Sequence, residues 1–460
     1  MKRIFTMLFA FALLLSLLAG CKTAQNETNN VSSQAESKDE GQAESSGTPN
    51  ESLAEEKQIS DYFAETVVLK DGTTIYCIDT AEQLYGFAEL VNERKHNFAG
   101  EVVLVRNDIE LNSTENISDW KNTKPENVWI PVGDNSFAFK GEFAGGYIEE
   151  QRYLYKNVTI SGIYCPQYEG AAAFFGEIEN AKIAHITLDK SIFCGPAENE
   201  YGDSAGFALR AYDSEITWCE NRLDLSGNRA SGIVFSADGT AVTWCNNYGN
   251  ITAESFGGGI VELLGSGEVF NCVNMGNVTA GTAGGVICNA LGSGSIAIAS
   301  CANYGDITGN EFAGGIIGVI DAEQTIITAI DLLNVGRVTA LGREYPEENR
   351  GNAGGIVGYY YIMSISGLGD IFIKNVLNIG EVSCKYNQGA IVGKSRNEDA
   401  VLQDCYYLDS SCKDGGLGTC VKKSELTDGK KLKLIDNIDW AVIEDNWYPI
   451  LYNTRIPFEI

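Results

Sequence analysis

Histidine is almost missing from this chain: His96 and His185 are the only two in 460 residues. Two isolated imidazoles with no visible partners argue against a catalytic triad and against a His-rich metal centre. His96 follows Glu93-Arg94-Lys95 and reads as solvated, whereas alternation along Ile183-Ala184-His185-Ile186-Thr187-Leu188 turns His185 outward. Basic residues are also few, 33 Lys and Arg against 62 Asp and Glu, for a formal net charge of −29. That balance argues against nucleic acid and against an anionic polysaccharide as the main partner. The Gly-rich runs lack the Lys-Ser/Thr of a phosphate loop and open no helix. No Asp-x-Asp-x-Asp-Gly loop appears, so Glu198-Asn199-Glu200 and Asp203 read as an exposed acidic loop rather than a calcium site. No metal, cofactor or catalytic residue is assigned on these grounds. Only Asp306, Asp331 and Asp370, at strand ends, are candidates for the carboxylate pair that glycan-cleaving enzymes use.

What is abundant is repetition. Cys245-Asn247-Gly249-Ile251-Thr252 returns as Cys272-Asn274-Gly276-Val278-Thr279 and as Cys301-Asn303-Gly305-Ile307-Thr308. Weaker copies follow at Leu332-Asn334-Gly336-Val338-Thr339 and Val376-Asn378-Gly380-Val382-Ser383, and a degenerate one precedes at Cys219-Asn221-Leu223-Leu225-Ser226. The Asn spacings are 27 (247 to 274), 29 (274 to 303), 31 (303 to 334) and 44 (334 to 378). Such periods mark stacked units. The longest gap holds the charged run 343–350, read as a loop. A glycine patch and a short apolar strand follow each copy, as in Gly257-Gly258-Gly259-Ile260-Val261 and Gly314-Gly315-Ile316-Ile317-Gly318. Short β-branched strands bounded by Gly and Asn, with no helical period, predict strands stacked turn on turn as a parallel β-helix.

In that stack, Val278 lies between Ile251 and Ile307. Cys219, Cys245, Cys272 and Cys301 form an inward column of small apolar side chains, lacking the local pairing of zinc motifs. The Asn residues form a ladder, each amide bonding the next turn. Trp218 and Trp244, each just before a column Cys, then face outward as a strip that sugars or partners could contact. Tyr359-Tyr360-Tyr361 is a second candidate for an exposed aromatic face. Cys405, Cys412 and Cys420 lie close enough in sequence to pair in an exported protein.

The N-terminus carries an address. Met1-Lys2-Arg3 precedes an apolar run, Ile4 to Leu18, which ends in Leu17-Leu18-Ala19-Gly20-Cys21. This is a secretory signal rather than a membrane span. The segment resembles a bacterial lipobox, which implies cleavage before Cys21 and a diacylglyceryl thioether on its sulfur. The following stretch, to 58, is polar and too poor in apolar residues to fold. As a flexible coil it would span roughly 30–35 Å.

The first half adds an ordered series of motifs. Thr80-Ala81-Glu82-Gln83-Leu84 and Phe87-Ala88-Glu89-Leu90-Val91-Asn92 read as a helix after a strand at Thr74–Ile78. Asp108-Ile109-Glu110-Leu111, Trp129-Ile130-Pro131-Val132-Gly133, Phe139-Lys140-Gly141-Glu142-Phe143 and Phe174-Phe175-Gly176-Glu177-Ile178 follow, with Trp447-Tyr448-Pro449-Ile450-Leu451 near the end. In this order they resemble bacterial surface proteins with GLUG repeats, from about 74 to 451. Ala144-Gly145-Gly146 and Ala172-Ala173-Phe174 depart from that family's turns. The resemblance implies a right-handed parallel β-helix, surface display, and adhesion or ligand binding; it carries over no catalytic centre.

The expected organisation is a signal peptide at 1–20, a polar tether at 21–58, an all-β parallel β-helix at 59–420 (clearest at 219–393) and a C-terminal cap at 421–460. Residues 80–92 are expected over the first turn, with Leu426, Leu432, Leu434, Trp440 and Trp447 sealing the other end. The expected function is a monomeric, non-enzymatic adhesin or ligand-binding module. Lipid on Cys21 holds it to the membrane, and it engages a glycan or a host or cell-surface protein. A polysaccharide-active enzyme and an architectural envelope protein stand as alternatives.

Overall fold

A computed structural model describes residues 57–452, apart from 121, 167–169, 194–201, 293, 322–325, 345–349, 362–370, 396–400, 414, 429–430, 437–438 and 444–445. Cys21, the signal segment, nearly all of the tether, Asp370 and the acidic run 198–200 therefore lie outside the described residues.

Each turn of chain lays down strands on three faces. Gly267–Phe270 and Val273–Asn274 lie on the first face, Val278–Gly284 on the second and Ile287–Leu291 on the third; the chain then re-enters the first face with Ser295–Asn303. Corresponding strands pair in parallel, in register. Val278 pairs with Ile251 on one side and Ile307 on the other, as the repeat predicts. The result is a parallel β-solenoid of about 10 turns. Its interior is one continuous apolar cluster running from Phe63 to Cys412.

Two columns fix the register. Cys219, Cys245, Cys272 and Cys301 are all 0% exposed, and Cys405 rejoins their column below Leu332 and Val376. Burial raises the Cys245 and Cys301 thiols, which keeps them protonated. Cys405 thus belongs to the interior rather than to a pairing with the loop cysteines after it. The asparagines form the expected ladder: Asn247 Nδ2 donates to Asn274 Oδ1, and Asn274 to Asn303, each at 2.8 Å. Each also donates to the carbonyl two residues on, as Asn274 Nδ2 does to Gly276 O at 2.7 Å. Gly276 is required beside it, because a Cβ there would sit 1.8 Å from Gly249 O.

Both ends are closed against strand-edge exposure. The helix Ala81–Asn92 is N-capped by Thr80 and buries Leu84, Phe87, Leu90 and Val91. Phe87 packs on Phe143, with ring centroids 5.2 Å apart, so the helix covers the first turns as expected. The other end departs from expectation. Residues 409–421 close the last turn: Val382 N–H donates to Ser411 O, Ala390 N–H donates to Gly415 O, and Thr419–Val421 pairs on Val401–Leu408. The remaining segment doubles back along the flank. Leu426, Leu432, Leu434 and Trp440 pack on Val273, Ala302, Leu333, Leu377 and Tyr406, one residue from each of five successive turns. The reason is that these outward positions are apolar from turn to turn and need cover. Within the strap, Ile450–Leu451 lies beside Ser295–Asn303 and Ile326–Asn334.

Trp440 Nε1 donates to Asp331 Oδ1 at 2.9 Å. Trp440→Phe should loosen the strap by about 2 kcal/mol, the scale of a hydrogen bond to a buried carboxylate. Hydrogen exchange should then quicken over 421–452 while the solenoid strands keep their protection.

Candidate ligand-binding face

The first face bends once per turn, and a left-handed residue makes each bend. His185, Trp218 and Trp244 have φ of 58°, 54° and 55°; Asn271, Ser300, Asp331, Asn375 and Asp404 continue the column at 51–56°. None is glycine, so each bend costs roughly 1 kcal/mol or more. The bend resets the alternation: Ile216 faces the core, a straight strand would bring Trp218 inward, and instead Cys219 points in while Trp218 points out.

The column changes character along its length. Asn271, Ser300 and Asp331 are buried where the strap passes. Before it, the outward residues are aromatic and uncovered. Trp218 is 45% exposed and Trp244 half-buried. Their rings are parallel within 4°, with centroids 4.7 Å apart. His185 lies on the far side of Trp218 at 5.9 Å, and Tyr155 lies on His185 at 4.8 Å. With a stacking separation of about 3.5 Å, the two indoles are offset sideways by about 3 Å. The rings therefore overlap like shingles. Most of each ring face is taken by its neighbour, and what the strip offers outward is chiefly its edges.

Tyr155 joins this ladder to a polar row. It sits on the hairpin Glu142–Glu149/Arg152–Tyr155, and its hydroxyl donates to Glu142 Oε1 at 2.9 Å; Tyr153 donates to Oε2 at 3.0 Å. Burial, reinforced by Glu142, pushes Tyr155 up to about 12. In-register pairing then stacks Glu142, Lys182, Glu215, Ala241 and Glu268 on successive turns. Lys182 Nζ is 3.4 Å from Glu215 and 5.4 Å from the Tyr155 ring centre. Burial and then Lys182 lower the His185 imidazole, so it is neutral at physiological pH. Between row and ladder, Thr217 and Thr243 share a hydroxyl hydrogen bond of 2.7 Å.

The other residues singled out in the sequence are dispersed. His96 is not freely solvated: it packs edge-on to Phe98 and pairs with Glu101, because the turn after the helix folds it against the first strands. Asp306 caps an exposed turn, accepting from Arg337 N–H at 2.9 Å, while Asp331 is buried under Trp440, so the two do not form an acid pair. Asp203 is held by Arg229 at 3.0 and 2.6 Å. Tyr360 turns into the core, whereas Tyr359 stacks on Phe312 at 5.0 Å. Among the described residues, no three metal-capable side chains converge. Sequence reading found Trp218 and Trp244 but not Tyr155, Glu142 or Lys182, which precede the clear repeats; their only signal was the in-register spacing of the early turns.

No protein-family model matches the chain, and no curated protein matches it. Among solved structures, it is similar to a proposed immunoglobulin A1 protease from Bacteroides ovatus, at 16% identity over 85% of this chain and 96% of that one, with a TM-score of 0.41.

Proposed function

We propose that this chain is a non-enzymatic binding solenoid, held at a bacterial envelope by lipid on Cys21. Its outer surface engages a glycan or a cell-surface protein through the early turns of the first face. One observation carries the reading. Among the described residues, the strap covers later turns of this face, and the Tyr155–His185–Trp218–Trp244 ladder lies on the earlier ones with Trp218 45% exposed. The indole edges present N–H donors, and Glu142, Lys182 and Glu215 offer acceptors and a donor beside them. Exposed aromatic and charged groups gathered at one place are what recognition surfaces use. The polar tether fits the same reading, since it would hold the face clear of a membrane.

The test is a screen of the protein against glycans and extracellular-matrix proteins, repeated with Trp218→Ala and Trp244→Ala. Each variant should weaken the bound ligand at least tenfold with the fold intact by circular dichroism; unchanged binding in both would remove the ladder from the site. Mass analysis after inhibition of lipoprotein signal cleavage tests the anchor, and an unmodified Cys21 thiol in a water-soluble mature form would refute it.

A second reading has its own observation. Glu215 and Glu268 flank Ala241 in register, two turns and so about 9.6 Å apart at Cα. Burial, and then Glu215, raises the Glu268 carboxyl, while Lys182 stands beside Glu215. Two carboxyl side chains on one face, one of them raised by burial, with room for a water between them, are the groups an inverting glycosidase uses. Release of reducing ends from a polysaccharide, lost in Glu268→Gln, would favour this reading over simple binding.

A further inference from the structure

We infer that the groove beside the ladder binds a neutral glycan chain laid along the solenoid axis, about one sugar per turn. This rests on the binding reading above and names its ligand class. The groove has a volume of about 540 Å³ and follows the corner where the third face passes into the first. That volume is on the scale of ligand sites in general. Its lining comes from successive turns: 100–102, 140–142, 180–182, 213–215 and 239. Five turns at about 4.8 Å make it roughly 19 Å long.

Its cross-section repeats. Small buried residues, Gly141, Ala181 and Ser214, form the floor. Lys140, Asn180 and Asp213 precede these floor residues along the chain and Glu142, Lys182 and Glu215 follow them in register, and all six line the groove. Each turn therefore presents two polar side chains beside a shallow floor, and a turn's rise approximates the length of one sugar in an extended chain. An ordered repeat in the protein thus meets an ordered repeat in the ligand.

Three arguments select the ligand. Four carboxylates line the groove, from Glu101, Glu142, Asp213 and Glu215, against two ammonium groups. Both lysines are already engaged, Lys140 with Glu179 at 2.8 Å and Lys182 with Glu215. A uronic or sulfated chain would meet net repulsion. A peptide fits poorly as well, because the groove's backbone is spoken for: Lys182 N–H donates to Gly141 O, Glu215 N–H to Ala181 O and Ala241 N–H to Ser214 O. An extended peptide would find no strand edge for its own amides. Sugar hydroxyls need none. They donate to the carboxylates, whose lone pairs are only partly used even at Glu142, and accept from Asn180 and Lys182.

The experiment is calorimetric titration of the full-length protein in detergent. The probes are cello-, xylo-, manno- and N-acetylated chito-oligosaccharides of two to six units, with oligogalacturonate as the anionic counterpart. At least one neutral series should bind, tightening with each unit to four or five and then levelling off. Glu142→Gln and Asp213→Asn, both near-isosteric, should each weaken it roughly tenfold with an unchanged thermal midpoint. Failure of every neutral series to bind, tighter binding of oligogalacturonate, or indifference to both substitutions would overturn the inference. A neutral chain that ignores Glu142→Gln and Asp213→Asn but is lost in Trp218→Ala would place the ligand on the ladder, and the proposed function would stand without the groove.

Discussion

Asn274→Asp should destabilise the solenoid by on the order of 5 kcal/mol at neutral pH. The Asn274 amide is fully buried and makes three bonds: it donates to Gly276 O at 2.7 Å and to Asn303 Oδ1 at 2.8 Å, and accepts from Asn247 Nδ2 at 2.8 Å. A carboxylate keeps only the acceptor role. It would aim a buried negative charge at two oxygens that have lost their donor. Asn274→Ala loses the same bonds without the charge and should cost less, about 3 kcal/mol. The gap between the two variants should narrow in acid, as the new carboxyl takes up a proton. Because each unit touches only its neighbours, the damage should be local, with hydrogen exchange quickening first over the turns 245–308. A mutant within 1 kcal/mol of wild type, or one whose exchange quickens uniformly, would show that the ladder does not hold the register.

The interior was legible because the same position meets the same surroundings every turn. Cys272 and Cys301 occupy one column, and Asn274 and Asn303 another, so selection for one environment wrote one residue type repeatedly. The outer column of bends could not be read that way. It needs only a residue that tolerates positive φ with its side chain outside, and so it holds His, Trp, Asn, Ser and Asp without a shared identity. The groove was hidden for a related reason: Glu142, Lys182 and Glu215 are neighbours in space but 40 (142 to 182) and 33 (182 to 215) residues apart, before the spacing becomes regular. The strap was expected over the end and lies along the flank, since its apolar residues fit either place equally well. Its anchoring bond spans 109 residues, and a period tells nothing about a segment that does not repeat.

Glu262→Gln should act in the opposite direction and stabilise the protein in alkali. Glu262 is 2% exposed; its Oε1 accepts from Asn289 Nδ2 at 2.8 Å, and its Oε2 has no hydrogen-bond partner among the described residues. Burial pushes its carboxyl up to about 7 from 4.5, only partly offset by Asn289 and Arg229. A raised folded-state value means that the native state holds the proton more tightly than the unfolded chain does. At pH 4 the group is protonated in both states and costs nothing extra. As pH rises from 4.5 towards 7, the unfolded chain ionises while the native state resists, and stability falls across that window by about 3 kcal/mol. Above pH 7 the loss is complete. Glutamine has the same shape and no charge to bury, so the variant should match wild type near pH 4 and exceed it by about 3 kcal/mol at pH 8, the Arg229 attraction being already contained in the raised value. Denaturant unfolding at the two pH values reads this directly. Equal stabilities at pH 8 would mean that the carboxylate finds a partner on ionising, and Arg229, then drawn from Asp203, would be the side chain to remove next.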